Sequence, residues 1–270
     1  MKKYLTSLAL VALSSGSVVW GQQQWRRSQF ITNTYLANPA VAGTEPGTVL
    51  SSSYRQQWAG FDGAPTTKLL SGHQAVPGGG GVGFVLYNDD MGGAIKQTGI
   101  ELTGAYSVLL SNQDAVSFGL SMRGNQFVFD GTGLNVWQTG DQSLPQTIES
   151  TFGVDFNAGM MVYGKNYYFG MSVYNLLEDK LNLSGVDDDA NRMFRHYNFM
   201  ASYLYKVTQL FSLQPSALMR MTEATPGQLD FHLRAIYNGT YWAGMGLRPQ
   251  DAFVIGTGIN YGAFTLAYNY

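Results

Sequence analysis

Apolar and polar residues alternate one for one in segment after segment of this chain, and that period belongs to extended strands. Phe152, Val154, Phe156, Ala158, Met160 and Val162 interleave with Gly153, Asp155, Asn157 and Gly159. Leu229, Phe231, Leu233, Ala235 and Tyr237 interleave with Asp230, His232, Arg234 and Asn238; Phe264, Leu266, Tyr268 and Tyr270 interleave with Thr265, Ala267 and Asn269. Strand side chains point to opposite faces in turn, so each segment presents one apolar face and one polar or small face. About thirteen such segments can be marked, at 48–58, 66–76, 80–89, 95–110, 115–129, 150–163, 167–176, 194–205, 211–221, 228–237, 240–248, 252–261 and 264–270. Many approach the roughly 9–11 residues that a tilted strand needs to cross a bilayer. A half-buried soluble sheet has the same period, so composition has to decide. Charged residues make up 13% and aromatics 14%, with 33 glycines, whereas a soluble domain carries about a quarter charged residues. No run of apolar residues is long enough for a spanning helix. Low charge, aromatic apolar faces and many glycines predict an all-β fold, a transmembrane antiparallel β-barrel.

The connections sort by parity. Every second one is short: Pro77-Gly78-Gly79, Ser111-Asn112-Gln113-Asp114, Gly164-Lys165-Asn166, Asn238-Gly239 and Gly262-Ala263. Asn-Gly suits a two-residue hairpin because both positions tolerate positive φ. The others are mostly longer, the longest being Asp130–Glu149 and Leu177–Met193. Short turns at one end and long loops at the other are the asymmetry of an outer-membrane barrel. A periplasmic N-terminus then puts the long loops outside the cell. Bacterial single-chain barrels have even strand numbers, so thirteen visible strands mean either a miscounted segment or, as the favoured expectation, a final strand missing after Tyr270 that would complete fourteen.

The chain divides into a secretory signal peptide (1–21), an N-terminal periplasmic lead-in (22–47) and the barrel (48–270). Lys2 and Lys3 form the basic start of the signal, Leu5 to Val19 its short apolar core, and Val19-Trp20-Gly21 its cleavage region. The mature chain has no cysteine, which excludes a lipoprotein anchor, disulfides and Cys-ligated metal. A formal charge of −2 carries no basic bias and argues against nucleic acid.

Few residues offer chemistry. The three histidines, His73, His196 and His232, lie far apart in sequence and make a poor metal site. His232, between Asp230 and Arg234 on a polar strand face, reads as part of a lumen hydrogen-bond network. His73 and Ser71 share a face without any hydrolase motif around them. Arg55, Glu101, Arg123, Asp155, Arg220, Asp230 and Arg234 face the lumen, either lining a channel or pairing across a filled interior; Tyr, Met and Phe competing for the same space favour filling. Asp187-Asp188-Asp189-Ala190-Asn191 has oxygen ligands of the kind Ca²⁺ takes but lacks the spacing of a dedicated loop, and reads as a solvated turn. The segment Gln29–Gly43, polar-aromatic and broken by Pro and Gly, reads as an ordinary lead-in, or as a segment that tucks into the barrel or caps its periplasmic mouth.

Three motifs go further. Asn38-Pro39-Ala40-Val41-Ala42-Gly43 follows a Gln-aromatic stretch. The strand ending Arg55-Gln56-Gln57-Trp58 runs into Gly60-Phe61-Asp62-Gly63-Ala64-Pro65, and Tyr87-Asn88-Asp89-Asp90-Met91-Gly92 closes the next hairpin. In this order they resemble the PorP/SprF family of type IX secretion outer-membrane proteins; past about residue 95 the likeness rests on barrel patterning alone. The resemblance implies a non-enzymatic barrel, without cofactor or metal, in protein secretion and gliding of Bacteroidota-type bacteria. It implies contact with outer-membrane lipid, and binding of the periplasmic ring proteins or the C-terminal domain of exported adhesins. The residues that carry the family motifs, and so the candidates marked for docking, are Asn38, Pro39, Gly43, Arg55, Gln57, Trp58, Gly60, Asp62, Gly63 and Pro65, with the Asp62–Pro65 turn either a docking surface at the extracellular mouth or simply a rigid hairpin turn. The alternative function is a porin or hydrophobic-solute transporter.

Overall fold

The computed structural model describes residues 30–111, 113–132, 147–179, 192–223, 227–249 and 251–270. The signal peptide and the Asp187–Asn191 loop lie outside them. Among the described residues, fourteen strands form one antiparallel sheet. They are β1 (Thr48–Gln56), β2 (Thr66–Val76), β3 (Gly80–Asp90), β4 (Ile95–Leu109), β5 (Ala115–Asp130), β6 (Ile148–Tyr163) and β7 (Tyr167–Tyr174), then β8 (His196–Tyr203), β9 (Tyr205–Lys206), β10 (Phe211–Thr222), β11 (Gln228–Tyr237), β12 (Tyr241–Arg248), β13 (Ala252–Tyr261) and β14 (Phe264–Asn269). Each long strand pairs with the next in chain order, a simple meander. The two-residue β9 continues β8 after a break at Leu204, and both pair with β10. The expected segment 194–205 is therefore one strand in two pieces. The break has a cause: Pro215 of β10 falls between the two ladders and has no N–H to donate. The edge strands β1 and β14 run in the same direction, and among the described residues no ladder joins them.

The two faces of this sheet are the reverse of a soluble protein's. Leu102 (51% exposed), Phe118 (50%) and Phe152 (68%) point outward, whereas Ser117, Ser121 and Asn157 are fully buried on the inner face. Polar in and apolar out is what a lipid-facing barrel requires, and its alternation is what makes each strand only half apolar. On β3 to β5 the outer surface turns polar at one register row, Asn88, Thr98 and Gln126, and Ser150 of β6 lies diagonally across from Gln126. There Asn88 Nδ2 donates to Thr98 Oγ1 at 2.8 Å and Gln126 Nε2 to Ser150 Oγ at 3.1 Å. On β4 the apolar side chains run from Ile100 to Val108, a stretch of spanning length for a tilted strand.

Inside lies residues 30–43. This single short segment touches inner-face residues of β2 to β8 and of β11, so the sheet curls round it as a barrel wall.

Candidate functional site

The N-terminal segment folds into three 3-10 turns, Phe30–Thr32, Thr34–Ala37 and Pro39–Val41. Asn38 breaks the last two apart: its backbone is extended and its side-chain oxygen accepts from Ala40 N at 2.9 Å. The same amide's Nδ2 donates to the carbonyls of Met160 (3.0 Å) and Met171 (3.2 Å), a cross-strand pair of β6 and β7. Further bonds fix the segment around the wall. Asn33 Nδ2 donates to Ser71 Oγ (2.9 Å), the Tyr35 hydroxyl shares a hydrogen bond with Thr103 (2.6 Å), and the Ser172 and Tyr174 hydroxyls donate to the carbonyls of Ala37 and Leu36. Burial pushes the Tyr35 phenol well above its usual range.

Glycines make this closeness possible. A Cβ on Gly159 would overlap Asn38 Oδ1, one on Gly119 would overlap the backbone of Pro39 and Ala40, and one on Gly81 would overlap the Ala42 carbonyl. Gly43 has φ +76° and its own Cβ would lie 2.6 Å from Gly81 Cα, so the last position of the motif needs glycine twice over. The three wall glycines face inward on β3, β5 and β6. They were not among the residues marked from sequence, yet glycine recurring at inward positions of neighbouring strands signals a close backbone approach.

Above this plug the lumen is tied by charge. Arg123 Nε and Nη2 donate to Glu101 Oε2 at 3.3 and 3.2 Å, Nη1 donates to Asn175 Oδ1, and the guanidinium lies 5.3 Å from the Tyr174 ring. Asp230 accepts from Arg248 at 2.6 Å and from Arg220 at 3.1 Å. Asp155 receives the backbone N–H groups of Phe156, Leu177 and Asp179, which draws the start of the β7–β8 connection across the lumen. The histidines serve the filling as well. His73 Nδ1 accepts from Gly43 N at 3.4 Å, while its neighbour Ser71 is bonded to Asn33. His232 meets the Phe30 ring edge-on at 5.3 Å. Of the lumen charges expected from strand parity, Glu101, Arg123, Asp155 and Asp230 are buried on the inner face; Arg248 also belongs there and was not marked.

The residues marked for docking fall into two groups at opposite ends of β1, some 25–30 Å of strand apart. Asn38, Pro39 and Gly43 are in the plug. Arg55, Gln57, Trp58, Gly60, Asp62, Gly63 and Pro65 form the β1–β2 connection at the long-loop end. Gln57 N donates to Pro65 O at 2.9 Å and closes that loop. In the orientation that satisfies both groups, the Gln57 amide oxygen accepts from Arg55 at 2.6 and 2.8 Å. Positive φ at Trp58 (49°), Gly60 (103°) and Gly63 (72°) turns the chain sharply and throws Trp58 (73% exposed) and Phe61 (74%) outward. The loop leans on the next hairpin: a Cβ on Gly92 would lie 2.7 Å from Gly63 O. The second and third sequence motifs thus form one surface.

Residues 19–270 match the family of type IX secretion system membrane proteins PorP/SprF. The chain belongs to this family. The match takes in the plug, the wall and the mouth loop of the PorP/SprF protein, and it makes the chain an outer-membrane component of type IX secretion. Among solved structures, it is similar to a KdgM porin at 8% identity and a TM-score of 0.38, covering 82% of this chain and 95% of the porin. No curated protein sequence matches it.

Proposed function

We propose that this PorP/SprF protein is a closed docking platform of the type IX machinery rather than a pore or an enzyme. It is exported to the outer membrane of a Bacteroidota-type cell by its signal peptide and held there by lipid contact along the outer face. Its N-terminus is periplasmic and its long loops are extracellular. The observation that carries this reading is the plug: the segment with the first sequence motif fills the lumen that a diffusion porin keeps open. What is left to offer a partner is the ends. At the long-loop end Trp58 and Phe61 stand exposed beyond the last residue of β1, the rigid aromatic type of anchor that dominates protein interfaces. They suit an exported protein's C-terminal domain, with the short-turn end facing the periplasmic ring proteins. Gliding follows where the exported protein is an adhesin.

The test is a clean deletion in the native host, complemented with wild type or with Trp58→Ala/Phe61→Ala. Surface and medium proteins are then compared by mass spectrometry. The deletion should remove a set of large proteins sharing a C-terminal sorting domain, and the double variant should fail to restore them although it reaches the membrane at wild-type level. An unchanged secretome on deletion rejects the secretion role. Full rescue by the double variant rejects the aromatic mouth as the docking surface.

A further inference from the structure

One inner-face cation has no acidic partner. Arg234 of β11 donates through Nε and Nη2 to a single neutral acceptor, Gln214 Oε1, at 3.1 and 2.6 Å. Its guanidinium lies over the Trp242 ring at 5.4 Å. The inner carboxylates near the middle of the wall are engaged elsewhere: Glu101 by Arg123, Asp230 by Arg220 and Arg248, Asp155 by backbone N–H groups. Among the described residues none pairs with Arg234. A guanidinium carries five N–H donors, and leaving a partly buried cation without a counter-charge is costly.

Beside Arg234 stands a second donor without a partner. Trp242 is buried, and its Nε1–H finds no acceptor. The indole lies against Gly258, where a Cβ would come within 2.5 Å of Nε1. Opposite Arg234 in register is Gly244, which puts no side chain into the lumen. Gln214, the neutral partner, is held by its Nε2 donating to Ser202 Oγ at 3.1 Å, and Ser202 is bonded in turn to Ser216 at 2.8 Å. The site lies near the short-turn end, a few residues from Asn238-Gly239. At that end Lys165 in the β6–β7 turn and Lys206 of β9 are exposed.

We infer that Arg234 and Trp242 form an oxyanion site in the short-turn half of the lumen, taking a carboxylate or a phosphate. Guanidinium N–H groups bond either oxyanion in a charge-assisted fork, and the indole N–H supplies the neutral donor beside it. Lys165 and Lys206 draw the anion to that end. The site is independent of the docking surface at the long-loop end, so either can fail without the other.

Calorimetry on the purified full chain in detergent micelles tests this at fixed ionic strength, with chloride as background. Inorganic phosphate is titrated in one series and glutarate in another. Wild type should bind at least one saturably, and which one tells whether the site takes phosphate or carboxylate. Arg234→Gln should weaken binding at least tenfold with the folded band on unheated gels retained. If that variant does not fold, Trp242→Phe decides: binding should weaken severalfold while the charge remains. Heats of dilution alone for wild type in both series overturn the inference. So does wild-type affinity in folded Arg234→Gln, or in Trp242→Phe where it decides.

Discussion

Replacing Gly159 by valine, with Gly119→Val added, should drive residues 30–43 out of the lumen and leave the barrel folded. The new Cβ at residue 159 would overlap Asn38 Oδ1 and crowd Asn38 Cγ and Pro39 Cδ at 3.0 Å. Asn38 has little room to yield, because its amide is bonded to Met160 O, Met171 O and Ala40 N at once. Overpacking of this kind costs about 1–3 kcal/mol. Leaving the lumen forfeits the segment's bonds to Ser71, Thr103, Ser172 and Tyr174, each worth about 1 kcal/mol net, so the Gly159 clash by itself strains the segment without displacing it. The wall suffers far less, since a β-branched residue suits a strand and the ladders to β5 and β7 are backbone bonds. Adding Gly119→Val places a second clash against the backbone of Pro39 and Ala40. In planar bilayers the wild type should be silent and the double variant should show discrete open steps. Limited proteolysis should cut the double variant between residues 30 and 43 while the barrel band persists. Silence and unchanged protection in a folded double variant would mean that the segment is not what closes the lumen. Open steps in wild type would restore the porin reading.

The wall was legible in the sequence because its physics is local. The two-residue period fixes which face each side chain takes, and that alone put Glu101, Arg123, Asp155 and Asp230 indoors. Ladder ends follow local breakers: the expected 66–76 is β2 to the residue, whereas β7 stops at Tyr174, short of the expected 176, because Asn175 takes φ +57°. The partners of those charges were not legible. Glu101 and Arg123 face each other only in the β4–β5 register, and Asp230 meets Arg248 across a hairpin whose register a strand count does not give. The plug was the least legible part. Residues 30–43 have no period, and their position depends on bonds to strands more than a hundred residues away, such as Ser172 to Ala37 and Asn198 to Ala37. The sequence left tucking in, capping and a plain lead-in all open. What separates them is the set of inward glycines, a signal spread over three strands and visible only once inner faces are aligned.

The largest loss of stability should come from Arg123→Met. Arg123 and Glu101 are 5% and 7% exposed at the side chain, and the pair is closed at 3.2 Å. Two charges so deep repay their desolvation only while both are present. Methionine fills much of the arginine's volume beneath Tyr174 and Tyr87, but it leaves the Glu101 carboxylate buried without its cation and Asn175 Oδ1 without its donor. Breaking one side of such a pair costs about 3–5 kcal/mol. Replacing both, as Glu101→Leu with Arg123→Met, removes the stranded charge and should recover most of that loss, since an apolar pair of like volume is often neutral or better. Urea unfolding in lipid vesicles, read as a double-mutant cycle, gives the coupling directly. Equal loss in the single and double variants would show that Arg123 acts through Asn175 and the β7–β8 connection instead of through Glu101. That outcome would move the latch of the long-loop end from the wall to the loop, because Asn175 Nδ2 also donates to Phe194 O and joins the two arms of that connection. The double variant tells the two apart, since it keeps the lumen neutral while the loop has lost its guanidinium.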